Sequence, residues 1–187
     1  MKRSKLTQVP SPEFSRRVVV EVIPAAGDTR EIVAEPEERD ALARRFGLLA
    51  FGALSASLRL QPLAHGLVRV EGRFTAALAQ ACVVTLEPIA RRIDASFALV
   101  YGPTAAAAGP HEVVMTADED APPEPIEDGA IDLGEATAQQ LALALDDFPR
   151  APNADLDSLR AEVGGLGRLP DPPSGPFAAL AALRRRR

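Results

Sequence analysis

Apolar and polar side chains alternate along the stretch from Leu48 to Leu63. The alternation is clearest over residues 54–61, which read LSASLRLQ. A period of two places successive side chains on opposite faces of a strand. The stretch is therefore predicted to be a β-strand with one buried and one solvated face.

Extended character returns after a turn at residues 64–66. Valine, threonine and phenylalanine are frequent in two runs, residues 74–86 and 93–101, and a polar kink at residues 87–92 joins them. Such side chains pack well on a pleated, half-buried surface. The pattern predicts a β-meander whose middle strand passes through Cys82.

A further pair of strands is predicted nearer the start of the chain. Residues 17–23 read RVVVEVI and residues 29–34 read TREIVA, with a proline- and glycine-containing turn between them. Two short apolar runs around such a turn are typical of a β-hairpin. The two segments are therefore predicted to pair with each other.

Two segments carry helix signals. Pro36–Phe46 opens with proline, and Gly47 follows it as a C-terminal cap. The second helix is predicted over residues 132–145, with Asp132 as its N-cap and Glu135 completing a capping box. Together these elements predict an α+β fold, a mostly antiparallel twisted sheet or partial barrel with two covering helices.

The remaining segments suggest how the chain is divided. Residues 1–13 are predicted to be a flexible basic arm, residues 14–149 the α+β domain, and residues 150–175 a linker. Within the domain, residues 104–129 form an acidic, proline-rich insert, predicted to be solvated from Thr116 onward, with residues 111–115 as a short edge strand.

Residues 176–187 form a separate amphipathic block. Its apolar side chains recur every three residues, and four arginines follow: the block contains Phe177, Leu180, Leu183, Arg184, Arg185, Arg186 and Arg187. A helix of this length is not stable alone, since isolated helices shorter than about 12–15 residues are marginal in water. We therefore expect a C-terminal docking helix, whose docking site lies either in this chain or in another molecule.

Charge and cysteine content narrow the classes of function. The net charge is −5, so any contact with nucleic acid must be local. A single cysteine excludes an intrachain disulfide and a multi-cysteine zinc site. No apolar run approaches the roughly 20 residues that span a bilayer, and no apolar run follows the basic start as in a secretory signal. We expect a cytoplasmic protein without membrane contact.

Three short motifs follow one another at residues 82–88, 131–149 and 176–183. The positions that define them are Cys82, Thr85, Leu86, Glu87, Pro88, Asp132, Leu133, Pro149, Phe177, Leu180 and Leu183. In their order and spacing these motifs resemble the YceD family, the large ribosomal RNA subunit accumulation proteins.

The resemblance implies a bacterial or organellar protein needed for accumulation or processing of 23S ribosomal RNA, with no known catalytic activity. It implies the large-subunit RNA or its precursors as partner, with ribosomal proteins or RNA-processing factors as further candidates. Many members carry Cys-x-x-Cys in the first motif, but Thr85 occupies the second position here. Because His65 and His111 are the only other soft ligands, we predict no metal and no cofactor.

Arginines are the candidate RNA-binding residues. They are Arg69, Arg73, Arg91 and Arg92 in the meander, with the four that end the C-terminal block. Side chains four apart on a strand share a face, so Arg69 and Arg73 lie together, whereas only one of the adjacent Arg91 and Arg92 can join them. The alternative is that these are ordinary solvated arginines.

The sequence shows none of the usual catalytic arrangements, and we predict no catalytic residue. Cys82 is predicted to be a buried small hydrophobe and not a reactive thiol. The function predicted from the sequence is a non-enzymatic ribosome-biogenesis factor that binds RNA. A protein-binding adaptor without RNA contact is the main alternative, and a nuclease or modifying enzyme is a remote third.

Overall fold

The structure, a computed structural model, describes residues 12–103, 122–152 and 154. The strands are β1 (Arg17–Val19), β2 (Asp28–Val33), β3 (Ala50–Pro62), β4 (Val68–Ala81), β5 (Pro88–Gly102), β6 (Glu124–Pro125) and β7 (Ala130–Asp132). The helices are α1 (Pro36–Phe46) and α2 (Leu133–Ala144).

The main sheet has five strands in the order β2-β3-β4-β5-β6. Its pairs are antiparallel except β5 with β6, which run parallel. A second sheet consists of β1 and β7, paired antiparallel. Among the described residues the main sheet does not close on itself, so of the two predicted alternatives, a twisted sheet or a partial barrel, the chain forms the open sheet. The predicted α+β fold with a mostly antiparallel sheet and two helices is confirmed.

Strand register separates a buried and an exposed side of the main sheet. Leu58 on β3 pairs with Gly72 on β4, which pairs in turn with Phe97 on β5. Leu58 and Gly72 are buried, and the Phe97 ring packs against the hydrophobic core beside Phe74. The alternate positions point away from the core. The predicted alternation in residues 54–61 is therefore confirmed.

Helix α1 has the predicted limits because its signals are local. The Glu35 side chain accepts from the backbone at Glu38, whose own side chain accepts from the Glu35 N–H in return. Gly47 ends the helix in the left-handed region, with φ 64°. Leu42, the helix's one buried residue, is completely removed from solvent and anchors α1 to the core beside β3.

Helix α2 begins at the predicted cap. Asp132 accepts hydrogen bonds from the N–H groups of Gly134 and Glu135 at 3.0 and 3.2 Å. The Glu135 carboxylate does not complete the predicted capping box but accepts hydrogen bonds from Arg45 and Gln139. The helix ends at Ala144, one residue before the predicted end.

The predicted hairpin between residues 17–23 and 29–34 is wrong. β1 covers only Arg17–Val19, continues into a 3₁₀ turn at Val20–Val22, and pairs with β7. β2 pairs instead with β3. The sequence pattern favoured the nearest partner, whereas the buried Ile131 of β7, far along the chain, provides the partner for Val18.

Two further corrections concern the middle of the chain. The middle strand ends at Ala81, so Cys82 lies in the turn after β4, and most of the predicted polar kink belongs to β5. The predicted solvated loop is also wrong at its end. There β6 pairs with β5, and Ile126 packs against the core because an apolar side chain is available within the acidic stretch.

Several predictions lie outside the described residues. They are the basic arm up to residue 11, residues 104–121 with the edge strand at 111–115, and the linker and docking helix within residues 155–187. The domain limits drawn from the sequence remain predictions.

Two arginine–glutamate pairs predict how stability depends on pH. Arg16 holds both carboxylate oxygens of Glu38 at 2.6 and 2.8 Å, and Arg45 holds both of Glu135 at 2.8 Å. The hydrogen bonds from these arginines lower the pKa of each glutamate. Because the folded pKa lies below the unfolded value of about 4.3, the stabilisation is complete above that value and is lost as the pH falls through the folded pKa.

We therefore expect the urea midpoint to fall as the pH is lowered from about 5 to about 3. The double variant Glu38→Gln, Glu135→Gln is the control, since it lacks both titrating carboxylates and should lose less over the same range. Equal pH dependence of the two proteins would contradict the assignment.

Candidate nucleic-acid interface

The solvent-facing side of β2–β5, here called the outer face, carries polar and charged side chains in cross-strand rows. Arg73 lies between Ser57 and Ser96, and Arg69 lies between Gln61 and Val100. The outward positions of the three longest strands include Ser55, Ser57, Arg59, Gln61, Arg69, Glu71, Arg73, Thr75, Arg92, Asp94 and Ser96.

Register decides which of the candidate arginines share this face. Arg69 and Arg73 lie on it together, and Arg92 joins them opposite Ala77. Arg91 pairs with the buried Leu78 and points to the other side, where its guanidinium holds Asp146 at 2.7 Å.

Arg59 is a further outer-face arginine, and it was not among the residues predicted from the sequence. It lies opposite Glu71 on β4 and is exposed. The signal was available, because Arg59 occupies a polar position in the alternating stretch. Four arginines on three adjacent strands therefore share the outer face.

Two of the outer-face arginines lie beside acidic side chains and pair with them. Arg73 is 71% exposed, and its Nε and Nη2 donate to the two Asp94 carboxylate oxygens at 2.9 and 3.0 Å. The Arg73 hydrogen bonds lower the pKa of Asp94. Arg69 lies 3.9 Å from Glu71. An arriving phosphate must therefore compete with carboxylates for the guanidinium forks.

The outer face contains a shallow, open concavity of about 630 Å³. Its lining includes Ser57, Arg59, Arg73 and Ser96, together with Glu71 and Phe97. The outward positions of the described strands carry no aromatic side chain, since the Phe97 ring packs towards the core. The outward positions thus offer guanidinium and hydroxyl groups but no outward-pointing aromatic ring on which bases would stack.

Cys82 lies apart from the outer face, in the turn between β4 and β5. Its side chain is 0% exposed, as predicted, but it is not surrounded by apolar groups alone. Its Sγ accepts from the N–H groups of Val84, Thr85 and Ala151, each at 3.4 Å. The Thr85 hydroxyl, followed by the Ala151 N–H, lowers the pKa of Cys82 to about 7.

Replacing Thr85 by valine should raise the pKa of Cys82 towards the ordinary thiol value of about 8.5, because the strongest donor to the thiolate is removed. The chain has one cysteine, so thiolate absorbance followed against pH reports this group alone. Thr85→Ser keeps the hydroxyl and should leave the pKa near that of the unchanged chain. An unshifted pKa in the valine variant would exclude the hydroxyl as the cause.

The motif positions described by the structure form two groups. Cys82 N–H donates to the Glu87 carbonyl at 2.8 Å, and the Val83 N–H donates to the Pro149 carbonyl at 2.8 Å. The first motif and Pro149 therefore meet at one end of the sheet, where Leu86 is 75% exposed. Asp132 and the buried Leu133 lie at the start of α2.

Over the described ranges, no three His, Cys, Asp or Glu side chains are grouped so as to hold a metal ion. None of the helices there is both long and apolar enough to cross a membrane.

The fold and the outer face define an open-sheet α+β protein with an exposed surface of arginines and hydroxyls. The family model described as "Large ribosomal RNA subunit accumulation protein YceD" matches residues 70–184. The match covers more than half of the 187 residues, and the chain belongs to the YceD family. The family name connects the chain with accumulation of large-subunit ribosomal RNA and names no enzymatic reaction. Neither a curated protein nor a solved structure matches the chain.

Proposed function

We propose that the chain supports accumulation of large-subunit ribosomal RNA by binding precursor RNA or assembly intermediates directly through the outer face, without catalysing a reaction. The observation that carries this proposal is the presence of Arg59, Arg69, Arg73 and Arg92 on one exposed sheet surface. Guanidinium forks match phosphate oxygens in geometry, and phosphate contacts supply most of the affinity for nucleic acid.

The chemistry of the outer face favours base-paired RNA over single strands. Single-stranded RNA is usually held by bases stacked on aromatic side chains, which the outward positions of the described strands lack. Serine and threonine hydroxyls, such as those of Ser57, Thr75 and Ser96, suit the 2′-hydroxyls and phosphates of an A-form helix. Recognition would then follow backbone shape.

Carboxylates on the same face limit non-specific binding. Asp94 occupies the Arg73 fork in the free protein, so a lone phosphate gains little by displacing it. Several phosphates at the right spacing can engage several arginines together. This accounts for local RNA binding by a chain whose net charge is −5.

Salt-dependent binding to a base-paired large-subunit RNA fragment tests the proposal. The double variant Arg69→Ala, Arg73→Ala should reduce the slope of log affinity against log salt by about 2, because each lost phosphate contact removes nearly one released counterion. The matched control is Arg44→Ala, Arg150→Ala, which removes the same charge from exposed positions elsewhere and should preserve the slope. Equal loss of slope in both variants would contradict the outer-face assignment.

The second candidate function is a protein-binding adaptor that recruits ribosomal proteins or a processing enzyme. The exposure of Leu143 and Phe148, 79% and 74%, favours a protein partner at that end of the molecule. Absence of RNA binding at low salt would favour the adaptor over direct RNA contact. For the four terminal arginines, the chemistry admits RNA phosphates or an acidic protein surface as partner.

A further inference from the structure

A second concave surface lies at the opposite side of the main sheet, where the ends of α1, β4 and α2 meet. It encloses about 360 Å³, and its lining includes Phe46, Gln80, Val83 and Leu145. We call it the end groove. The buried Gln80 amide donates to the Asp146 carbonyl at 2.9 Å, which fixes the chain after α2 along one wall.

The end groove is apolar with an acidic edge. Its only charged lining residues, among those described, are Asp146 and Asp147. Exposed apolar side chains also collect at this end. The Val83 side chain lines the groove and is 45% exposed. Phe148, which lies in sequence between the lining residues Asp147 and Pro149, is 74% exposed. Large exposed apolar groups that gather around a concavity mark an interaction site.

The described chain leaves the domain beside this groove. Pro149 lines it and accepts the Val83 N–H at 2.8 Å, and the Ala151 N–H reaches the Cys82 sulfur at 3.4 Å. The described part then ends at Ala154. The residues that follow therefore start from the edge of the groove.

We propose that the end groove is the docking site of residues 176–187 of the same chain, a segment that lies outside the described residues. Phe177, Leu180 and Leu183 supply the apolar surface that the groove walls match. Arg184 to Arg187 supply positive charge that complements Asp147, because the Asp146 carboxylate is already paired with Arg91. This placement assigns the four arginines to an acidic protein surface.

Tethering makes this occupant the favoured one. Twenty-one residues separate Ala154 from Pro176, which reach up to roughly 70 Å when extended. A tether of this length gives the segment an effective concentration in the millimolar range at the groove. A weak apolar contact is then enough to keep the groove occupied, whereas an untethered peptide must bind far more tightly.

Amide chemical shifts of the full-length chain test the proposal. Leu180→Asp should shift the signals of Gln80, Val83 and Leu145, because the apolar contact is lost. The matched control is Ala182→Asp, which adds the same charge on the other side of a helix through residues 176–187 and should leave those signals in place. Groove signals that are identical in all three chains would overturn the proposal.

A reciprocal variant guards against indirect effects. Val83→Asp changes a partly exposed side chain that lines the groove, whereas Val33→Asp makes the same substitution on the distant edge strand β2. The first should shift the signals of residues 177–183 and the second should not. The shifts should also be unchanged on dilution, since shifts that depend on protein concentration would show a second copy in the groove and overturn docking within one chain.

Discussion

Asp132→Ala should lower the free energy of unfolding by about 2–4 kcal/mol. Asp132 caps α2 through the N–H groups of Gly134 and Glu135, and it also accepts from the Arg16 N–H at 2.8 Å and from the Ser15 hydroxyl. One carboxylate therefore joins the segment before β1 to the helix that covers the sheet. Its removal leaves several donors without their partner at once.

Urea unfolding measures this effect. Asp132→Asn keeps an amide oxygen that can cap the helix and should lose clearly less. Asp40→Ala removes a carboxylate from an exposed position on α1 and should change stability by about 0.5 kcal/mol or less. An alanine variant that unfolds at the same urea concentration as the unchanged chain would show that Asp132 does not connect these elements.

Gly134→Ala should also destabilise the fold, although alanine has the higher intrinsic helix propensity. Alanine is favoured over glycine within a helix by about 1 kcal/mol. A Cβ at this position would collide with the Phe14 carbonyl oxygen and lie 2.9 Å from the Phe14 carbonyl carbon and 3.1 Å from the Arg16 nitrogen. Backbone atoms cannot turn aside as a side chain can, so the segment carrying the fully buried Phe14 must shift.

Overpacking of this kind costs about 3 kcal/mol, so the net loss should be about 2 kcal/mol. Gly52→Ala is the matched control, because its Cβ would meet the Ala77 carbonyl oxygen at 3.4 Å, an ordinary contact. A rise in stability for Gly134→Ala, measured by the same urea titration, would show that helix propensity outweighs the contact with Phe14.

The elements that the sequence predicted well depend on neighbouring residues. Proline at the start of α1, Gly47 at its end and the reciprocal glutamates all act within one or two turns. Such signals are read directly from sequence because capping involves residues a few positions apart. The limits of α1 follow from them.

The pairing of β1 could not be read in the same way. Its partner β7 follows more than a hundred residues later, as the register Arg17↔Asp132 shows. A period-two pattern states that a segment can form a strand but not which segment it pairs with. The nearest candidate, β2, was the wrong choice, because β3 competes for it along six residue pairs.

The outer face was partly predictable, because the alternation of side chains along a strand can be seen in the sequence. Alternation placed Arg69 and Arg73 together, and adjacency allowed only one of Arg91 and Arg92 to join them. The choice of Arg92 needed the register of β5 against β4. The contact of the Ala151 N–H with the Cys82 sulfur could not be predicted, because the two residues lie 69 positions apart.

The most direct test of RNA binding through the outer face is a crosslinking map of the chain on ribosome precursors in cells. We predict that the crosslinked peptides come from β3, β4 and β5 and include Arg59, Arg69, Arg73 or Arg92. The crosslinked RNA should be a base-paired part of the large-subunit precursor. Replacing these arginines by alanine should remove the crosslinks. Crosslinks confined to the end groove, or to ribosomal proteins with no RNA attached, would contradict the account.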